Sequence, residues 1–289
     1  MPNLRDVRRR IRSVRNLQKT TRAMKFVSAS KLKRAQDRIV AARPYANRML
    51  AVLNSLISRA QNTDHPLLKR RGSEHTLLVI ITADKGLCGP FNANIVKAAL
   101  AFLNQHAGSD LALTAVGRKG YDFFKRRPYK IREQYINALG NLNYELAKQI
   151  AHSIIEQYGA EEVDEVYIVY NEFKSVVAQR VVVERLLPIG EIEGLEEEEA
   201  KGQLDYIYEQ TPQAIFEHLL PRHVEVQIFR AMLESVASEH GARMAAMDSA
   251  TTNAKEMIER LTLNMNRIRQ ASITREIIEI VSGANALAK

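Results

Sequence analysis

Residues 4–36 read LRDVRRRIRSVRNLQKTTRAMKFVSASKLKRAQ, and the spacing of apolar and small residues in this run decides the architecture. Leu4, Val7, Ile11, Val14, Leu17, Thr21, Met24, Ser28, Leu32 and Ala35 recur at steps of three or four. The pattern continues through Ile39, Ala42, Ala46, Met49, Leu53 and Leu56. Such a repeat is a heptad-like stripe on a helix that would be about 80 Å long. Pro44 lies inside it and is expected to kink the helix or remove one hydrogen bond. A helix with one apolar stripe draws most of its stability from packing that stripe on a partner.

The partner expected is the other end of the chain. Val226, Phe229, Leu233, Val236, His240, Arg243, Met247, Ala250, Ala254, Met257, Leu261, Asn264, Ile268 and Ala271 keep the same alternating step. An antiparallel two-helix coiled coil is the simplest arrangement, with His240 as a polar register-setting residue. Ala237, Ser238, Ala242, Ala245, Ala246, Ser249 and Ala250 fill its middle, where the rod is expected to be thin.

Glycine and proline mark the rest. The first 71 residues contain no glycine, eleven of the 13 glycines lie between Gly72 and Gly202, and no proline follows Pro221. The middle alternates short apolar runs with helical ones: strands at 76–82, 111–116 and 163–170, helices at 91–105 and 142–158, and a further strand at 179–187 forming a hairpin with the one before it. The fold class expected is therefore α/β: a central Rossmann-like domain at 74–208 between an N-terminal coiled-coil helix at 1–60 and a C-terminal one at 212–286. The acidic run EIEGLEEEEAK at 191–201 reads as a solvated connection.

Composition narrows the function. The 289 residues are 46% hydrophobic and 26% charged, which suits a globular chain. No apolar run approaches the roughly 18 residues of a membrane span, and residues 1–30 lack a signal-peptide pattern; a soluble, intracellular protein is expected. The formal net charge is +9, yet residues 1–38 alone carry 13 Lys and Arg against Asp6 and Asp37, leaving a small negative balance elsewhere. That end suggests an acidic partner, whether nucleic acid, a membrane surface or an acidic protein, with a solvated charged face as the competing reading. Nucleic acid is disfavoured because Phe26 is the one aromatic residue among the first 44.

Catalytic signals are weak. The loop ADKGLCGPFN at 83–92 joins a strand to a helix but matches neither GxxxxGK[ST] nor GxGxxG, so a structural turn is favoured over a phosphate cradle. Cys88, the single cysteine, reads as a packed thiol. The seven histidines show no metal-binding spacing. No catalytic residue, cofactor or metal is expected.

The N-terminal run, TADKGLCGPFNANI at 82–95, ASEHGARMAAMDSATTNA at 237–254 and RQASITREIIEIVSGANA at 269–286 together resemble the gamma subunits of bacterial F-type ATP synthases. The resemblance implies a non-catalytic rotor in the central stalk that couples proton flow through a membrane ring to ATP synthesis and hydrolysis in partner beta subunits. The partners implied are the alpha and beta subunits, the epsilon subunit and the c-subunit ring, with the chain held peripherally at the cytoplasmic face of the bacterial cell membrane. Carried over by motif, Met24 would lie near Arg243, Gln270, Thr274 and Glu276 as coupling positions. Arg8, Arg9, Arg10, Lys25 and Arg34 would meet acidic beta-subunit loops, and Asp205, Tyr206, Tyr208 and Glu209 would face the c ring. The cysteine pair inserted in chloroplast relatives has no counterpart here. The alternatives are a basic coiled-coil nucleic-acid-binding protein and an α/β nucleotide-dependent enzyme.

Overall fold

A computed structural model describes residues 4–59, 65–176, 178–189 and 212–287. The acidic run 191–201 and Asp205, Tyr206, Tyr208 and Glu209 lie outside the described residues. The chain divides into two compact units: Met1–Ser28 with Met244–Lys289, and Ala29–Arg243. Helices α1 (Leu4–Arg59) and α5 (Pro212–Leu287) contribute to both. Pro44 and Pro221 lie inside these helices without ending them.

In the first unit the two helices form an antiparallel coiled coil. The Thr21 and Thr251 hydroxyls meet at 2.8 Å, and Lys25 Nζ lies 2.6 Å from Asp248 Oδ1, so numbers rise along one helix as they fall along the other. Burial follows a strict seven-residue repeat: Val7, Ile11, Val14, Gln18, Thr21, Lys25 and Ser28 are buried or half-buried, facing Met265, Leu261, Ile258, Ala254, Thr251 and Met247. This corrects four expected stripe positions. Leu17 and Met257 are more than half exposed and Asn264 and Ala271 are exposed; Gln18, Ile258 and Met265 occupy the contact in place of the first three, while Met24 is half-buried beside Lys25. At Leu17 apolarity had pointed to the neighbouring residue; on α5 the expected stripe kept the seven-residue repeat but set every second position one residue early, at 257 and 264 in place of 258 and 265.

The second unit is built on a five-stranded sheet of order β3-β2-β1-β4-β5. Its strands are β1 (His75–Ile81), β2 (Asp110–Val116), β3 (Lys130–Tyr135), β4 (Glu165–Phe173) and β5 (Gln179–Leu187). The first four are mutually parallel; β5 pairs antiparallel with β4, completing the expected hairpin. Helices α2 (Phe91–Gln105), α3 (Arg118–Phe124) and α4 (Tyr144–Gly159) cross between the parallel strands. Strand β1 alternates between two cores: Leu77, Val79 and Ile81 share one with α4, α1 and α5, while Leu78 and Ile80 share the other with α2. Each fully buried Leu or Ile there contributes roughly 1.5–3 kcal/mol.

The alanine- and serine-rich part of α5 is not a thin rod within this unit. Ala237, Ser238 and Ala242 are buried because this helix closes on the end of β4. Ser238 Oγ donates to Asn171 O (3.1 Å), Glu234 accepts from the Phe173 N–H (3.0 Å), and a Cβ at Gly241 would stand 3.2 Å from the Phe173 ring. Small residues let backbone and strand approach. Both α3 and β3 went unassigned from sequence.

Candidate functional site

In the first unit the outer face of α1 is a cationic shell. Arg8, Arg9 and Arg10 are exposed, and the Arg9–Asp6 pair at 3.0 Å is a surface contact of little energetic weight. Lys25 reaches Asp248, which fixes Met24 at the level of residue 248 on α5. Gln270 begins 22 residues further on, roughly 30 Å along the helix. The expected closeness of Met24 to Gln270, Thr274 and Glu276 is therefore absent. Those three are exposed; Thr274 Oγ1 donates to Gln270 O at 3.0 Å, and Ser272 Oγ donates to Glu276 Oε1 at 3.4 Å.

The antiparallel register also shows where α5 outruns its partner. Thr21 opposite Thr251 places Leu4, where α1 begins, opposite Ile268. From Arg269 to Ala284 every described side chain is exposed, including Ile273, Ile277, Ile278, Ile280 and Val281. Ile273, Ile277, Ile280 and Val281 share one face. The sequence reading had ended its stripe at Ala271; an apolar stripe continuing beyond the reach of α1 was the available signal.

In the second unit Arg243 is the centre of a buried polar cluster. It is 8% exposed, its Nη2 lies 2.7 Å from Glu239 Oε1, and it donates to the carbonyls of Gly86 (3.2 Å) and Lys85 (3.4 Å). His240 Nδ1 lies 3.4 Å from Arg243 Nη1. Burial raises the Glu239 pKa against the pull of Arg243, while burial, Arg243 and Lys31 push His240 down to about 4.

The 83–92 loop supplies those carbonyls. Leu87 and Gly89 take positive φ (62° and 56°), Asn92 Oδ1 accepts from the Ala83 N–H, and Asn92 Nδ2 lies 3.1 Å from Cys88 Sγ. The loop turns carbonyl oxygens toward a guanidinium, the opposite of a backbone phosphate cradle. Cys88 is buried and its thiol is pushed upward by that burial, which suits packing rather than nucleophilic attack. Among the described residues no cluster of three His, Cys, Asp or Glu could hold a metal, and no helix is long and apolar enough to cross a membrane.

His223 on α5 is 6% exposed, and burial lowers its pKa to about 4. Its neutral form is favoured in the fold, so the unfolded chain binds the extra proton once pH drops below about 6.5, and stability falls from there to about pH 4. Wild type is expected to lose about 3 kcal/mol more over that window than His223→Leu, measured by urea unfolding at each pH.

A family model described as ATP synthase matches residues 3–287. The ATP synthase gamma chain of Geobacter metallireducens is 50% identical over 289 residues, covering 99% of both chains. The chain belongs to the ATP synthase gamma chain family. The gamma chain of Geotalea uraniireducens is 51% identical, again across 99% of each chain. Among solved structures, a chain from the central stalk and c ring of the Tetrahymena thermophila mitochondrial ATP synthase superposes with TM-score 0.60 at 28% identity, covering 80% of this chain and 99% of the other. A chain from the Euglena gracilis mitochondrial ATP synthase reaches TM-score 0.69 at 20% identity over 98% and 94%, a likeness of fold. The chain is a non-catalytic rotor subunit of the central stalk, coupling rotation to catalysis elsewhere in the complex.

Proposed function

We propose that the chain turns inside a hexamer of alternating alpha and beta subunits, with its α/β part beside the epsilon subunit and the c-subunit ring. It would thereby couple proton flow to ATP synthesis and hydrolysis, peripherally at the cytoplasmic face of the bacterial cell membrane. The observation that carries this reading is the end of α5: an apolar stripe of Ile273, Ile277, Ile280 and Val281, solvent-exposed and beyond the reach of α1. A stripe of that kind suits a low-friction contact with an apolar collar, since dispersion and burial impose no preferred angle. The cationic shell of Arg8, Arg9, Arg10 and Lys25 supplies the angle-dependent part, because coupling needs a different interaction energy with each partner state.

Met24, Arg243, Gln270, Thr274 and Glu276 remain the proposed coupling positions, with Arg34 as a further basic contact and Asp205, Tyr206, Tyr208 and Glu209 as the proposed c-ring face. Arg243 would act indirectly, by bracing α5 against the 83–92 loop. Co-expression with the alpha and beta subunits of a close relative, followed by pull-down and ATPase assay, tests the assignment. The intact chain is expected to co-assemble and make hydrolysis cooperative. Combining Ile273→Asp, Ile277→Asp and Ile280→Asp is expected to weaken co-assembly at least about tenfold by placing carboxylates in an apolar contact. Failure of the intact chain to co-assemble, with steeply salt-dependent DNA binding in its place, would return the nucleic-acid alternative.

A further inference from the structure

The second unit contains a cleft that rotor function leaves unexplained. It encloses about 350 Å³ and is lined by Lys31, Arg34 and Arg38 from α1, Asp84 and Lys85 after β1, and Glu239, His240 and Arg243 from α5. Its position is informative. The order β3-β2-β1-β4-β5 reverses direction of growth between β1 and β4, and open α/β sheets bind ligands at the carboxyl ends of the strands flanking such a reversal. Asp84 and Lys85 follow the carboxyl end of β1, one of the two strands flanking the reversal; Asn137 and Leu139, also in the lining, follow that of the edge strand β3.

The charges in the wall are unbalanced. Glu239 is taken by Arg243, and Asp84 Oδ1 accepts the backbone N–H groups of Arg118 (3.0 Å) and Asn137 (2.8 Å). Lys31, Arg34 and Arg38 follow at steps of three and four and so share one face of α1. Arg38 gives one nitrogen to Leu142 O (3.1 Å), while Arg34 and Lys85 make no side-chain hydrogen bond or ion pair with the other described residues. Leu139, Leu142, Leu233 and Val236 add apolar surface to the same lining. A volume of this size is at the small end of ligand-binding pockets.

We propose that this cleft binds a small organic phosphate of the nucleoside diphosphate class, its phosphates against Arg34, Lys31 and Lys85 and its body against the apolar side chains of Leu139, Leu233 and Val236. Recognition is by side chains: the 83–92 loop presents carbonyls, so no backbone cradle contributes, and binding involves no hydrolysis.

Isothermal titration of the full chain in the presence of a chelator, with ADP, inorganic pyrophosphate and adenosine as separate probes, tests the assignment. ADP is expected to saturate at one per chain, with pyrophosphate and adenosine each at least about tenfold weaker because each engages only the basic or only the apolar part of the lining. Lys85→Glu and Arg34→Glu, both at exposed positions, are expected to weaken ADP at least about tenfold. Lys97→Glu, exposed on α2 outside the cleft, makes the same charge change and is expected to leave ADP binding within about twofold. Absence of saturable ADP binding overturns the proposal. So does pyrophosphate binding as tightly as ADP, or Lys97→Glu weakening ADP as much as Lys85→Glu. None of these outcomes bears on co-assembly with alpha and beta subunits, so the rotor assignment is tested separately.

Discussion

Gly117→Ala is expected to destabilise the sheet unit by more than about 4 kcal/mol, enough to leave little soluble folded protein. Gly117 follows β2 with φ +95°, and a Cβ there would stand 1.9 Å from the Thr82 carbonyl oxygen and 2.7 Å from its carbon. Neither side can yield. The Gly117 N–H donates to Tyr135 O at 2.8 Å, the Thr82 N–H donates to Val116 O at 2.8 Å, and Thr82 Oγ1 accepts from the Gly120 N–H at 2.8 Å. The backbone is thus clamped between the ends of β1 and β3 in a conformation that L side chains rarely adopt. Gly72→Ala and Gly108→Ala, whose added Cβ would meet nothing within 4 Å, are expected to stay within about 0.5 kcal/mol. Urea unfolding of the three variants, with soluble yield as a first readout, checks this; a cooperative Gly117→Ala variant with near-native midpoint would contradict it.

Arg243→Ala is expected to cost about 3–5 kcal/mol, because it leaves the Glu239 carboxylate buried without its cation and two loop carbonyls without a donor. Most of that cost comes from the charge left behind. Glu239→Leu combined with Arg243→Met is therefore expected to recover most of the loss, since an apolar pair of similar volume carries no desolvation penalty. A double-mutant cycle by urea unfolding measures the coupling. The pH sign is also fixed. Burial already raises the Glu239 pKa, and removing Arg243 takes away an opposing cause, so protonation then favours the fold and the Arg243→Ala deficit shrinks as pH falls from 7 toward 5. A deficit that is constant with pH would show that Glu239 is not the buried charge responsible.

Much of this architecture was legible in the residues. The two heptad stripes predicted an antiparallel pair, and the β4–β5 hairpin and α2 fell where apolar runs and glycines placed them. The errors have physical causes. At Leu17 the reading followed apolarity where the seven-residue repeat of two supercoiled helices seats Gln18, and at Met257 and Asn264 it kept that repeat but set its second position one residue early, so Ile258 and Met265 fill the contact. Strand β3, KIREQY, is an edge strand without a buried side chain, so its apolar signal is weak. The Arg243 cluster joins residues 157 and 158 positions apart, and the cleft gathers four separate stretches of chain. Pairings of that separation leave no local pattern.

The Thr21–Thr251 contact spans 230 residues, which has a consequence for biogenesis. At ribosomal elongation rates of about 5–20 residues per second, the N-terminal segment waits roughly 10–50 s before its mate is synthesised. Throughout that interval Val7 and Ile11 have no counterpart to cover them, and the nascent polypeptide carries a bare amphipathic stretch with a dense positive charge. The coil is thus the last part able to close, and a stalled or prematurely terminated translation product would present that stretch to chaperones and anionic surfaces alike.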